Sequence, residues 1–147
     1  MVEYMLENNE ARGLDPVYKV EAGIVLTGSE TKALKLKNGH LGGAYLRFIN
    51  DEPYLIGFKV GQYRYSSDRG FDPGRLKKVL LNKNEIDKIN GLLSQKGLVC
   101  VPGRVYAKGH YLKVELLVGR VMRRFEKREK IKKKEQEREV ARDLREY

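Results

Sequence analysis

Strict alternation appears at residues 20–27, where Val20, Ala22, Ile24 and Leu26 interleave with Glu21, Gly23, Val25 and Thr27. One apolar face with a period of two predicts a half-buried strand. Gly28-Ser29 interrupts the pattern, and Ser29 is placed to cap a helix with Glu30 in its first turn. That helix has only Ala33, Leu34 and Leu36 to bury, so it should be short. Residues 41–49 predict a second strand, Asn50-Asp51-Glu52-Pro53 a turn, and residues 54–60 the hairpin partner. Residues 61–74 are rich in Gly, Ser, Asp, Arg and Tyr and predict a long loop, a common home for function.

A short strand or an extended lead-in is expected at 76–81. Asn84 is the expected cap of a second helix reaching residue 95, with Ile86, Ile89, Leu92 and Leu93 on one face and Gly97 after its end. Two further strands, 98–107 and 111–118, flank a tight turn at Lys108-Gly109. Five or six strands with two short helices predict a mainly β domain over residues 1–118, a small closed barrel whose closure removes exposed edges.

The pattern changes at Gly119. Few residues beyond it are large and aliphatic or aromatic, among them Val121, Met122, Phe125, Ile131, Val140 and Leu144, too few to offset the ~1–2 kcal/mol per residue lost in ordering a backbone. Glu126–Lys130 and Glu129–Lys133 are acid-first pairs four apart, each contributing about 0.2–0.5 kcal/mol to a helix. Residues 119–147 therefore read as a separate basic tail, disordered alone and helical when bound.

Charge gives that tail a purpose. The 147 residues hold 30 Lys and Arg against 20 Asp and Glu, a net charge of +10, and residues 120–134 alone hold nine basic and two acidic side chains. An anionic partner follows, nucleic acid or an acidic membrane surface, against the plain alternative of an inert basic surface. No apolar run approaches the ~20 residues of a membrane span. The first residues are acidic and lack a signal's apolar core. The single Cys100 excludes an internal disulfide and a multi-cysteine zinc site. A soluble cytoplasmic protein is expected. His40 and His110 have no metal-spaced partners, and neither a Walker-type phosphate loop nor a nucleophile elbow is present. No catalytic residue, metal or cofactor is therefore assigned, and the chain reads as a binder.

The run Glu21-Ala22-Gly23-Ile24-Val25-Leu26-Thr27-Gly28-Ser29-Glu30-Thr31-Lys32-Ala33-Leu34-Lys35 resembles the SsrA-binding protein family, small protein B. Three more blocks agree in order and spacing: Asn8-Asn9-Glu10-Ala11-Arg12, the segment from Asp72-Pro73 through Arg75 to Leu80-Leu81, and Phe125-Glu126-Lys127-Arg128. The resemblance implies an oligonucleotide-binding-like barrel, a monomer that binds transfer-messenger RNA and delivers it to stalled ribosomes for trans-translation. It implies a tail that enters the vacant mRNA channel near the decoding centre and its 16S rRNA.

Residue by residue, it assigns RNA binding to Asn8, Glu21 and Leu80. Glu21 would accept from base or 2′-OH donors, and Leu80 would present an apolar face to a splayed base. Phosphate contacts would come from Lys32, Lys35, Arg75, Lys77 and Lys78. The ribosome-binding tail would use Arg123, Arg124, Phe125, Glu126, Lys127 and Arg128, with Phe125 stacking on a base. The chain departs from the family pattern where Val121-Met122-Arg123-Arg124 replaces Gly-Lys-Lys, and where Glu126 replaces Asp. The alternative is a generic binder of single-stranded or ribosomal RNA without rescue activity.

Overall fold

The computed structural model describes residues 2–63, 72–121 and 135. The chain opens with a strand that alternation did not reveal, β1 (Val2–Glu7), in which Met5 alone is buried. A 3-10 turn at Asn9–Gly13 follows, and then β2 (Leu14–Ile24), longer than the alternating run suggested. After α1 (Gly28–Lys35) come β3 (Gly39–His40), β4 (Tyr45–Ile49), β5 (Glu52–Ile56), β6 (Lys59–Val60) and β7 (Lys77–Leu80). The last elements are α2 (Lys83–Leu93), β8 (Leu98–Lys108) and β9 (Tyr111–Val121).

Both helices begin in a capping box, one residue pair away from the expected caps. Thr27, not Ser29, caps α1: its Oγ1 accepts from the Glu30 amide at 3.2 Å and Glu30 accepts from the Thr27 amide at 2.8 Å. Asn82, not Asn84, caps α2 in the same reciprocal way with Glu85. In each case the deciding signal is a carboxylate three residues on, which fixes the cap by answering its own backbone N–H.

The turn after β4 is also tighter than expected. Asn50 and Asp51 both take positive φ, 50° and 64°, and Ile49 pairs directly with Glu52. Glu52 and Pro53 thus belong to β5, and Gly57 at φ 80° ends that strand before β6. The β8–β9 turn falls on Gly109-His110, since Lys108 pairs with Tyr111. β9 runs through Gly119 to Val121, and a Cβ at Gly119 would lie 2.5 Å from the Asp15 carbonyl oxygen.

The strands form an antiparallel seven-stranded sheet in the order β1-β8-β9-β2-β7-β5-β4, with β3 and β6 as a separate pair. This corrects the expected closed barrel. Closure requires the outer strands β1 and β4 to pair. Instead, the sheet curls so that β4 comes against β8, and no ladder joins its edges among the described residues. The weak links are at β7, which holds β2 through Gly23↔Leu80 and Ile24↔Val79 and holds β5 through Tyr54↔Lys78 and Leu55↔Lys77. Inside the curl, Leu34 of α1 and Ile89 of α2 pack with Leu55, Val79, Val105, Val114, Leu116 and Val118. The core thus fixes which face of β2, β8 and β9 turns outward.

Candidate nucleic-acid interface

Alternation sends every second side chain of those strands out of the core. The register aligns them into rows. One row crosses five strands as Leu80, Gly23, Lys113, Tyr106 and Tyr4. The next holds Glu21, Glu115 and Arg104. A third pairs Tyr111 with Lys108.

The rings and charges in these rows engage one another. Tyr4 and Tyr106 lie 5.7 Å apart between ring centroids, tilted by 60°. The Arg104 guanidinium stands 5.4 Å from the Tyr4 ring and the Lys113 ammonium 5.9 Å from the Tyr111 ring. Lys19 bridges to Glu115 at 3.4 Å. Glu21 accepts a short hydrogen bond from the Tyr106 hydroxyl, and Lys108 sits 3.5 Å from its other oxygen.

That hydrogen bond is the main reason the Glu21 carboxyl lies below its ordinary range; Lys108 and Lys113 reinforce it against the opposing effect of burial. Burial, together with the same carboxylate, pushes the Tyr106 hydroxyl up. Glu21 therefore stays ionised and oriented, beside a second carboxylate, Glu115, that Lys19 bridges. An ionised carboxylate only accepts, so it favours donors such as base amines and 2′-OH groups over phosphate.

The described residues expected from sequence divide into three groups. Glu21, Lys78 and Leu80 share the outer face, with Leu80 54% exposed and Lys78 bridged to Glu52 at 3.3 Å. Lys32 and Lys35 lie on α1, where Lys32 stands 5.4 Å from the Tyr63 ring and Lys35 is exposed. Asn8, Arg75 and Lys77 make their contacts within the fold.

Asn8 is 7% exposed, donates to the Pro102 carbonyl at 2.8 Å and accepts from the Glu10 amide at 3.1 Å. It anchors the 3-10 turn to β8. Lys77 is fully buried, and its ammonium donates to the carbonyls of Phe58 at 2.7 Å and Arg75 at 2.8 Å. It cannot reach a phosphate at the surface. Arg75 grips the buried Glu30 carboxylate with Nη2 at 2.5 Å and Nε at 3.3 Å. Its partly exposed guanidinium is already neutralised.

Arg123, Arg124, Phe125, Glu126, Lys127 and Arg128 lie outside the described residues. Tyr4, Arg104, Tyr106, Tyr111 and Lys113 were missed by the sequence reading. For the last four the alternation from Arg104 to Val114 carried a signal, because it sets charged and aromatic side chains opposite Val105, Leu112 and Val114; Tyr4 had none. Among the described residues no helix is long and apolar enough to cross a membrane, and no group of three His, Cys, Asp or Glu side chains is placed to hold a metal.

A curled antiparallel sheet with its chemistry spread over one open, basic face defines a surface-binding β protein. Comparison with known proteins makes the class specific: the family model described as SmpB protein matches residues 6–146. The chain belongs to the SmpB family. It is 38% identical over 145 residues to the SsrA-binding protein of Chloroflexus aggregans, covering 97% of this chain and 92% of that one. It is 42% identical over 125 residues to the SsrA-binding protein of Latilactobacillus sakei, covering 85% and 80%. A solved chain described as "tmRNA-SmpB: a journey to the center of the bacterial ribosome" superposes with a TM-score of 0.66 at 34% identity, covering 86% of this chain and 93% of that one.

Proposed function

We propose that this chain is a non-catalytic RNA-binding protein of trans-translation, which binds transfer-messenger RNA and carries it to stalled ribosomes in the cytoplasm. Family membership and the likeness to a chain from a tmRNA-SmpB ribosome structure support the partner. One observation carries the assignment of the surface: Glu21 and Leu80, far apart in sequence, flank Gly23 on the same outer face, because Gly23 pairs with Leu80 and stands two residues from Glu21 along β2. Lys78, Lys108 and Lys113 surround them with positive charge.

In this reading the cations set affinity and register through phosphates, and the oriented Glu21 reads donors that only an RNA fold presents. Lys32 and Lys35 on α1 extend the positive surface. The protein acts as a monomer. The tail beyond the sheet, with Arg123, Arg124, Phe125, Glu126, Lys127 and Arg128, enters the vacant mRNA channel and so detects the absence of message.

Binding to the tRNA-like domain of transfer-messenger RNA, measured against an unstructured RNA of equal length across a salt series, tests the first part. Preference for the folded RNA that persists as salt rises is expected. Equal binding that collapses with salt would leave only a generic RNA binder. Removing residues 122–147 tests the second part: RNA binding should survive while peptide tagging on non-stop ribosomes is lost.

A further inference from the structure

The ladder between β2 and β9 ends at Gly23↔Lys113, yet β9 begins two residues earlier at Tyr111. β2 stops at Ile24 and the chain turns away through Thr27 into α1, so β9 overruns it. The overrun leaves a cleft of about 240 Å³ reached by Gly23, Leu80, Tyr111, Thr31, His110 and Lys113. We propose that this cleft holds one unstacked nucleobase between the Tyr111 ring and the Leu80 side chain, an inference that rests on the RNA-binding reading above and names what the face binds there.

Size fits a single ring system. The cleft is smaller than the ~300–1,000 Å³ of sites that take drug-sized ligands. Its mouth exposes two large apolar side chains, Tyr111 at 71% and Leu80 at 54%. Scattered exposed hydrophobes need no explanation, but these two share one cleft with a cation. The Lys113 ammonium, 5.9 Å from the Tyr111 ring centroid, and Lys108, the cross-strand partner of Tyr111, supply charge for the phosphates on either side of an inserted base. A purely apolar protein side chain would gain nothing from those two lysines.

The polar groups are placed for a base edge. Thr31 brings a hydroxyl whose proton goes to the Thr27 carbonyl at 3.0 Å, leaving its oxygen to accept. His110 brings an imidazole from the β8–β9 turn. Gly23 keeps the floor bare: a Cβ there would stand 3.2 Å from the Leu80 Cβ and press that side chain into the space. Glu21, two residues along β2 on the same face, then meets the neighbouring nucleotide.

The test places 2-aminopurine at each unpaired position of the tRNA-like domain in turn, with the full chain as binder. Its emission should change at one position when the wild-type protein binds. That change should persist in Tyr111→Phe and vanish in Tyr111→Ala, which should bind roughly 5- to 150-fold more weakly, the range spanned by loss of one stacked base. The exposed Tyr111 can be truncated without opening the core. Gly23→Ala should also suppress the signal. If no position responds to the wild-type protein, or if Tyr111→Ala alters neither emission nor affinity, the clamp does not exist. Should the wild type show no preference for the tRNA-like fold, the reading of function falls, and the same scan on an unstructured strand still decides the clamp.

Discussion

Tyr106 and Glu21 are hydrogen-bonded over an intervening strand. Tyr106 belongs to β8 and Glu21 to β2, and β9 runs between them, with Lys113 opposite Tyr106 and Glu115 opposite Glu21. The contact is therefore diagonal and long in reach, which only a large side chain with a terminal donor can make. It ties the orientation of the Glu21 carboxylate to a tyrosine that is only 6% exposed.

Replacing Tyr106 by Phe should release Glu21. Its titration, followed by the side-chain carboxyl resonance, should move up toward the ordinary value of 4.5. The sign for stability follows. A carboxyl depressed in the folded state adds stability above its unfolded value, and that stability is lost as pH falls through the folded one. Because Glu21 is largely exposed, the effect on unfolding will be small, and RNA affinity should fall more than stability does. An unchanged titration in Tyr106→Phe would mean that the bond is not formed in solution.

Glu30 should matter far more for folding. Burial opposes its charge, yet the hydrogen bonds from Arg75 and the Thr27 amide, with the charges of Arg75 and Lys77, hold its carboxyl below the ordinary range. Glu30→Gln leaves Lys77 buried without its carboxylate and should cost about 3 kcal/mol in urea unfolding, the lower end for a broken buried pair because Arg75 is partly solvated. The wild-type advantage should be complete above pH ~4.5 and shrink as pH drops toward the depressed folded value. Equal stability of the two proteins at neutral pH would remove the cluster from any role in holding α1 to β7.

Lys77 and Lys113 offer a paired comparison. Lys113→Gln should lower the slope of log affinity against log salt by about 0.7–0.9, the loss of one phosphate contact. Lys77→Met should leave that slope unchanged. Its penalty should appear in unfolding instead, roughly 1–3 kcal/mol, as the Phe58 and Arg75 carbonyls lose their donor. A reduced salt slope in Lys77→Met would restore this lysine to the RNA surface.

The β4–β5 turn can be improved. Asp51 adopts φ 64°, a conformation glycine takes without steric cost. Asp51→Gly should gain about 0.5 kcal/mol, by forming the Asn-Gly pair favoured in two-residue hairpins. A drop in the thermal midpoint would show that the Asp51 side chain does more than occupy the turn.

What was readable in the sequence followed from local physics. The alternation at Val20–Leu26 gave the core-facing side of β2, and the apolar stripe of α2 put Ile89 inward. β1 was not readable, because only Met5 of its six residues is buried and the strand owes its existence to β8. The open sheet was not readable either: closure depends on which edges meet, and no local pattern encodes that. At the site, composition marked lysines as cations but could not tell Lys77 from Lys78, whose fates differ by one step of strand alternation. Tyr106 alternates with Val105 and Ala107 between Arg104 and Lys108, but only the register placed it opposite Lys113 and within reach of Glu21.

The pairing of Val2 with Lys108 also sets a schedule. A chain made from its N-terminus exposes β1 early, and β8, its ladder partner among the described residues, emerges after every other described strand and helix except β9. Contacts so distant in sequence form slowly. Until β8 is made, β1 has no partner strand, and Glu3 and Glu7, flanking Tyr4, Met5 and Leu6, put charge where it opposes pairing with a neighbour's strand.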